Sequence, residues 1–203
     1  MKRWFLKIWR KWKAARPDKP NPPIKEVGSI FTIALMVGHT AASSGADSVY
    51  SPIDGEPMSE YEYWTVVTKR MHVTNKNIIV TYRDGMRIAE AVKAACGQHD
   101  ETDLYMELHF NGFNGKAYGC SAIYGTESRS VADSFCRFME DKGKRYRRIK
   151  FEGNAPRGSI NVRTGQKYAK YSMLVEPFFG DNPKDYVPIT VMAEYLSEYL
   201  ETL

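Results

Sequence analysis

The sequence predicts a single α/β domain, and three observations carry that prediction. From about Ile24 to the C-terminus, segments of strand character alternate with segments of helical periodicity, the pattern of a sheet with helices packed on it. Phe31-Thr-Ile-Ala-Leu-Met-Val37 is apolar throughout, as a central strand buried on both faces requires. At 203 residues the chain is long enough for one full core and short for two.

Each element follows from local pattern. The first strand ends in Gly38-His39-Thr40 and a loop of small residues, Ala41 to Ser48. Glu60 to Met71 repeats apolar residues at Tyr63, Val66, Val67 and Met71, a helical spacing, behind Ser59 as N-cap. Asn77 to Tyr82 reads as a strand, and Gly85 to Cys96 as an amphipathic helix closed by Gly97. Asp103-Leu-Tyr-Met-Glu-Leu-His109 is a further strand with a histidine near its end, followed by the Gly-rich loop Phe110 to Gly115. Gly119 to Tyr124 is a strand and Glu127 to Asp141 a helix, after which the basic run Lys142 to Arg148 reads as a solvated surface. Gly153 to Gly158 marks a turn. Met173 to Val175 is a buried strand that delivers Glu176 at its C-terminal end, where Pro177 and Gly180-Asp-Asn-Pro183 turn the chain out of the sheet. Tyr186 to Leu203 is the closing helix. No internal repeat is present.

The net charge of +5 is concentrated in residues 1–16, which carry seven basic residues and no acid. Setting these seven aside leaves 22 of the 29 basic residues against 24 acidic ones, so the remainder is slightly acidic and nucleic-acid binding by the domain is not expected. Within the tail, Trp4, Phe5, Ile8, Trp9 and Trp12 share one helical face, while Arg3, Lys7, Arg10 and Lys11 share the other. That composition suits an interfacial helix touching an anionic membrane or lipopolysaccharide; docking on the domain and nucleic-acid binding are the competing readings. Charges interrupt every apolar stretch that could make a signal peptide. Residues 17–23, Pro-Asp-Lys-Pro-Asn-Pro-Pro, form a semi-rigid linker to a domain spanning 24–203. No run is long enough to cross a membrane. Three scattered cysteines suggest neither a disulfide framework nor a cysteine metal site.

Chemistry collects at the C-terminal ends of strands in α/β proteins. His39, Glu60 and His109 offer two imidazoles and a carboxylate from three separate elements, a set suited to catalytic zinc with one position open. Glu176 fits the role of proton carrier beside such an ion. Each has a plainer alternative: a loop histidine held by hydrogen bonds, a glutamate serving the helix N-terminus, a salt-bridged carboxylate. His72 and His99 show no partner pattern and read as surface residues.

Val37-Gly-His-Thr40 with Gly45-Ala46 resembles the first motif of the zinc-dependent N-acetylmuramoyl-L-alanine amidases of the amidase 3 type, found among cell-wall hydrolases and phage endolysins. The segment opening at Glu60 looks like that family's helix beginning with a zinc-ligand glutamate. Glu107-Leu-His109-Phe-Asn111-Gly resembles its strand-end motif with the second zinc histidine. Pro156-Arg-Gly158 looks like the turn before its last core strand, and Leu174-Val-Glu176-Pro-Phe-Phe-Gly-Asp-Asn182-Pro is similar to the segment bearing its catalytic glutamate. The motifs keep the family's order over roughly residues 30–203. The departures are Thr40 where glycine is usual, the lack of a preceding Asp-Pro, and Pro177-Phe178, which mark the stretch where the substrate groove is expected to differ.

The resemblance implies a mixed, mostly parallel sheet flanked by helices. It implies Zn2+ held by His39, Glu60 and His109, with Glu62 the other candidate on the same helix, and Glu176 as general base and acid. The implied reaction cleaves the amide between N-acetylmuramic acid and L-alanine of peptidoglycan. The alternatives are a non-catalytic peptidoglycan-binding module of the same fold and a zinc carboxypeptidase acting on the stem peptide. A monomeric, bacteriolytic phage or prophage protein is expected, made in the bacterial cytoplasm and acting at the periplasm or cell wall.

Overall fold

A computed structural model describes residues 30–48, 57–97, 102–155 and 159–203. The predicted amphipathic tail 1–16, the linker 17–23, His99 and the Pro156-Arg157-Gly158 turn lie outside the described residues.

Six strands form one sheet: β1 (Phe31–Val37), β2 (Lys76–Tyr82), β3 (Thr102–Leu108), β4 (Cys120–Tyr124), β5 (Tyr146–Phe151) and β6 (Ala169–Glu176). Their order is β2-β1-β3-β6-β4-β5. All neighbours run parallel except β4 and β6, which are antiparallel. The sheet is therefore mixed and mostly parallel, as expected. β6, the last strand in sequence, sits inside the sheet between β3 and β4.

Helices cover both faces. α1 (Glu60–Arg70), α3 (Arg129–Asp141) and α5 (Ile189–Thr202) bury Tyr63, Trp64, Phe135, Met139, Leu196 and Tyr199 against Leu35, Leu104, Leu108, Met173 and Val175. On the other face α2 (Ile88–Cys96) lays Ala91, Val92, Ala95 and Cys96 against Ala34, Met36 and Tyr105. The short α4 (Ser159–Gly165) packs beside α2 and β6. Two-sided burial explains why β1 is almost uniformly apolar; β3 is buried throughout as well but carries Thr102, Asp103 and Glu107. Each large side chain so buried contributes roughly 1.5–3 kcal/mol.

Several boundaries differ from the sequence-based expectation. The second helix starts at Ile88 rather than Gly85, with Arg87 at its N-cap and the Glu90 carboxylate accepting from the Arg87 backbone N–H. The last helix starts at Ile189 behind Pro188, not at Tyr186. β6 starts four residues before Met173.

The basic run is not simply a solvated surface. It leads into β5, an edge strand whose Tyr146 and Ile149 pack on the main core while Arg147 and Arg148 face out, positive charge on an edge being a common guard against pairing with other chains. Lys142 pairs with Glu198 and Lys144 with Asp185, and Arg145 donates to the Tyr118 hydroxyl. Cys96, Cys120 and Cys136 are buried free thiols, and burial pushes the Cys96 thiol up to about 12.

Candidate metal centre

The parallel ladder sets the site. β1, β3 and β6 are adjacent and end level with one another: Val37 pairs with Leu108, and Leu108 with Val175. Beyond these pairs, Gly38 N–H donates to Leu108 C=O at 3.1 Å and His109 N–H donates to Val175 C=O at 3.0 Å. The residues that follow, His39, His109 and Glu176, are thus carried by three neighbouring strands spaced about 4.8 Å apart. All three stand at the C-terminal edge, where α/β sheets present their ligand sites.

Glu60 is the first residue of α1. Ser59 caps that helix, and Glu62 completes a capping box by accepting from the Ser59 backbone N–H at 3.0 Å. Glu62 is thereby turned to the helix end. Glu60, nearly buried, is turned to the histidines: its Oε2 is 3.3 Å from His39 Nε2, and its Oε1 is 2.7 Å from His109 Nδ1. Backbone N–H groups of Phe110 and Ala46 donate to the same carboxylate at 3.1 and 3.3 Å. The loop after β1 is held here in return, since Glu60 N–H donates to Ala46 C=O.

Close approach dictates two glycines. A Cβ at Gly38 would run into the His109 ring. At Gly45, with φ +85°, a Cβ would lie 2.7 Å from Glu60 Oε2. His39 itself has φ +62°, a left-handed conformation that costs on the order of 1 kcal/mol in a non-glycine residue and aims its ring at Glu60.

The donor atoms of His39, Glu60 and His109 all lie within 4.8 Å of one another. Ligands on a tetrahedral zinc stand about 3.3 Å apart, so small side-chain adjustments fit this set to such an ion. Burial pushes the Glu60 carboxyl up, but hydrogen bonds with His109 and His39 and their charge outweigh it and hold it at about 2. Burial works on His109 in the opposite sense, and hydrogen bonds to Glu107 and Glu60 with their two negative charges overcome it, lifting His109 to about 10.

Glu176 ends β6 half-buried. Asn111 Nδ2 and Ser121 Oγ donate to its Oε2 at 2.8 and 2.7 Å. Ser121 reaches it because β4 runs antiparallel to β6 and pairs Ser121 directly with Glu176. Sequence reasoning missed these two holders. Asn111 lay within a quoted motif, whereas nothing marks Ser121 before the strand pairing is known.

Phe178 and Phe179 do not line a groove. Both are buried, Phe178 on Tyr63, Phe110 and Tyr186, and Phe179 under the Arg147 guanidinium. The burial gives both rings a packing role. His72 lies between α1 and β2, with its backbone N–H donating to Ser197 Oγ.

A family profile described as N-acetylmuramoyl-L-alanine amidase matches residues 33–194. Among solved structures, Cwp6 from Clostridium difficile is similar with a TM-score of 0.64 and 20% identity, over 86% of this chain and 29% of that one. The catalytic domain of the CD27L endolysin targeting Clostridia difficile gives 0.60 and 20% identity, over 85% and 97%. The amidase AmiC2 of Nostoc punctiforme gives 0.63 and 14% identity, over 85% and 96%. At these identities the likeness speaks for the fold. No curated protein sequence matches the chain. The profile covers most of the sequence, and the chain belongs to the N-acetylmuramoyl-L-alanine amidase family, with the function of a peptidoglycan amidase.

Proposed function

We propose that the chain is a zinc-dependent amidase in which His39, Glu60 and His109 hold the metal and Glu176 moves the proton. The observation that carries this reading is the convergence of two imidazoles and one carboxylate, within 4.8 Å, at the same sheet edge as a held glutamate. Zinc bound by such a set lowers the pKa of water and polarises a carbonyl.

The protein's own groups supply the rest. Asn111 and Ser121 both bond Oε2 of Glu176, which leaves Oε1 as the oxygen free of hydrogen bonds among the described residues. Through it Glu176 accepts a proton from the attacking water as the new carbon–oxygen bond forms on the lactyl carbonyl. It then delivers that proton to the nitrogen of L-alanine as the carbon–nitrogen bond breaks. Glu60 and His109 stay in place through these steps because backbone donors and Glu107 hold them.

Digestion of purified sacculi, followed by mass spectrometry with and without a chelator, tests the reading. New L-alanine amino termini are expected, lost on chelation and recovered with zinc. Glu176→Gln is expected to be folded and roughly 10²–10⁴-fold slower, the usual worth of a general acid–base group. Release of free amino acids would instead mark a carboxypeptidase, and full activity of Glu176→Gln would remove that residue from the chemistry.

The tail belongs to the same proposal as an accessory: residues 1–16 act as a cationic arm on anionic lipid, joined by the 17–23 linker to a monomeric domain in a phage lysis setting. Deleting residues 1–23 is expected to abolish binding to anionic vesicles and spare activity on bare peptidoglycan. Equal vesicle binding by the shortened chain would overturn the arm.

A further inference from the structure

Alternation along β3 puts Leu104, Met106 and Leu108 in the main core and sends Tyr105, Glu107 and His109 to the opposite side of the sheet. Glu107 is 0% exposed there. A carboxylate taken fully out of water is costly unless its oxygens are met by donors. They are met by three: His109 Nε2 at 2.9 Å and Asn161 Nδ2 at 2.6 Å on Oε1, and the Tyr105 hydroxyl at 3.3 Å on Oε2.

The two ring nitrogens of His109 therefore do different work. Both face a carboxylate, but the partners differ: Glu107 is held away from the site by Tyr105 and Asn161, whereas Glu60 belongs to the set that could hold an ion. An ion between Glu60 and His109 takes the Nδ1 side and leaves Nε2–H donating to Glu107. Nδ1 is the nitrogen turned to Glu60, and the His39 ring centroid is 4.9 Å from that of His109. Gly38 lies against one side of the ring so closely that a methyl group there would collide with it.

We propose that Glu107 is a positioning residue of the metal centre: it holds Nε2 of His109 protonated and fixes the ring so that Nδ1 is offered to the ion. Asn161, brought in by α4, holds Glu107 in turn. A carboxylate behind a ligating histidine is a recurrent way of orienting the ring and raising its basicity, and its loss typically costs 10–100-fold in metal affinity. The inference rests on the metal reading of His39, Glu60 and His109, and adds to Glu60 and Glu176 a third acidic residue, one that touches neither metal nor substrate.

Zinc titration of the full chain against a chromophoric competing chelator tests it, with Glu107→Met, Glu107→Gln and the unaltered protein side by side. Glu107→Met keeps the bulk, removes the acceptor, and is expected to weaken zinc binding about 10–100-fold. Glu107→Gln keeps an acceptor oxygen for Nε2–H and is expected to restore most of that loss. Nitrogen-15 correlation spectra of the imidazoles give an independent readout on the zinc-loaded, unaltered protein: Nδ1 of His109 metal-bound and Nε2 protonated. Zinc binding by the unaltered protein that Glu107→Met matches overturns the role of Glu107 alone. A spectrum showing His109 bound through Nε2 overturns it even if Glu107→Met does not fold. Absence of zinc binding by the unaltered protein overturns the metal reading, and this inference with it.

Discussion

At the scale of single residues, the Glu60–His109 pair makes the metal-free protein sensitive to pH in two windows. The Glu60 carboxyl sits at about 2 in the folded chain against an ordinary 4.5, so its contribution is present above 4.5 and lost as pH falls toward 2. His109 sits at about 10 against 6.5, so its contribution is full below 6.5 and lost as pH rises toward 10. Chelator-treated protein is accordingly expected to be most stable between about pH 4.5 and 6.5, as urea denaturation across pH would show. Stability that climbs steadily from pH 6.5 to 10 would contradict the pairing. Gly38→Ala is expected to cost about 1–3 kcal/mol as an overpacked contact and to weaken zinc binding by displacing the His109 ring. At this scale the sequence was informative for residues with chemistry of their own, such as His39, His109 and Glu176. It was silent on Ser121 and Glu107, whose roles come from what the neighbouring strand or helix places against them.

Among elements, legibility followed burial. β1 and the core of β6 announce themselves as apolar runs because both faces are covered. β5 does not, since Tyr-Arg-Arg-Ile-Lys-Phe is an edge strand with only part of one face on the core and a register shift opposite Cys120 and Ser121. α4 escaped notice for a different reason: seven residues are too few to display helical periodicity. The segment after β6 is fixed by Asp185, a buried carboxylate that accepts from Gly119 N–H at 2.9 Å and Phe179 N–H at 2.8 Å and pairs with Lys144. It ties three connections together at the C-terminal edge of β6. Asp185→Ala leaves two backbone donors without their acceptor and strips a mostly buried ammonium of its counter-charge, leaving it only the Asp185 carbonyl among the described residues, and is expected to cost about 3–5 kcal/mol in urea unfolding. A loss below 1 kcal/mol would show that the tie is not structural.

For the whole molecule, an ion held by residues from β1, α1 and β3 should act as a clamp on the fold. Ligand that binds only the folded chain stabilises it by about 4 kcal/mol at a thousandfold excess over its dissociation constant. For a domain of this size that corresponds to a rise in Tm of about 10 °C, readable as thermal unfolding with zinc against chelator. Identical melting curves would argue against a resident ion.

The place of β6 has a consequence for the timing of activity. Until residues 169–176 are made, the strands already synthesised fall into two groups, β2-β1-β3 and β4-β5, that share no backbone pairing within the sheet. The final strand joins them, and the same strand carries Glu176. A chain still being synthesised can hold His39, Glu60 and His109 and yet lack both a continuous sheet and Glu176, the proposed proton carrier. A wall-cutting activity is thereby withheld until β6 itself has been made.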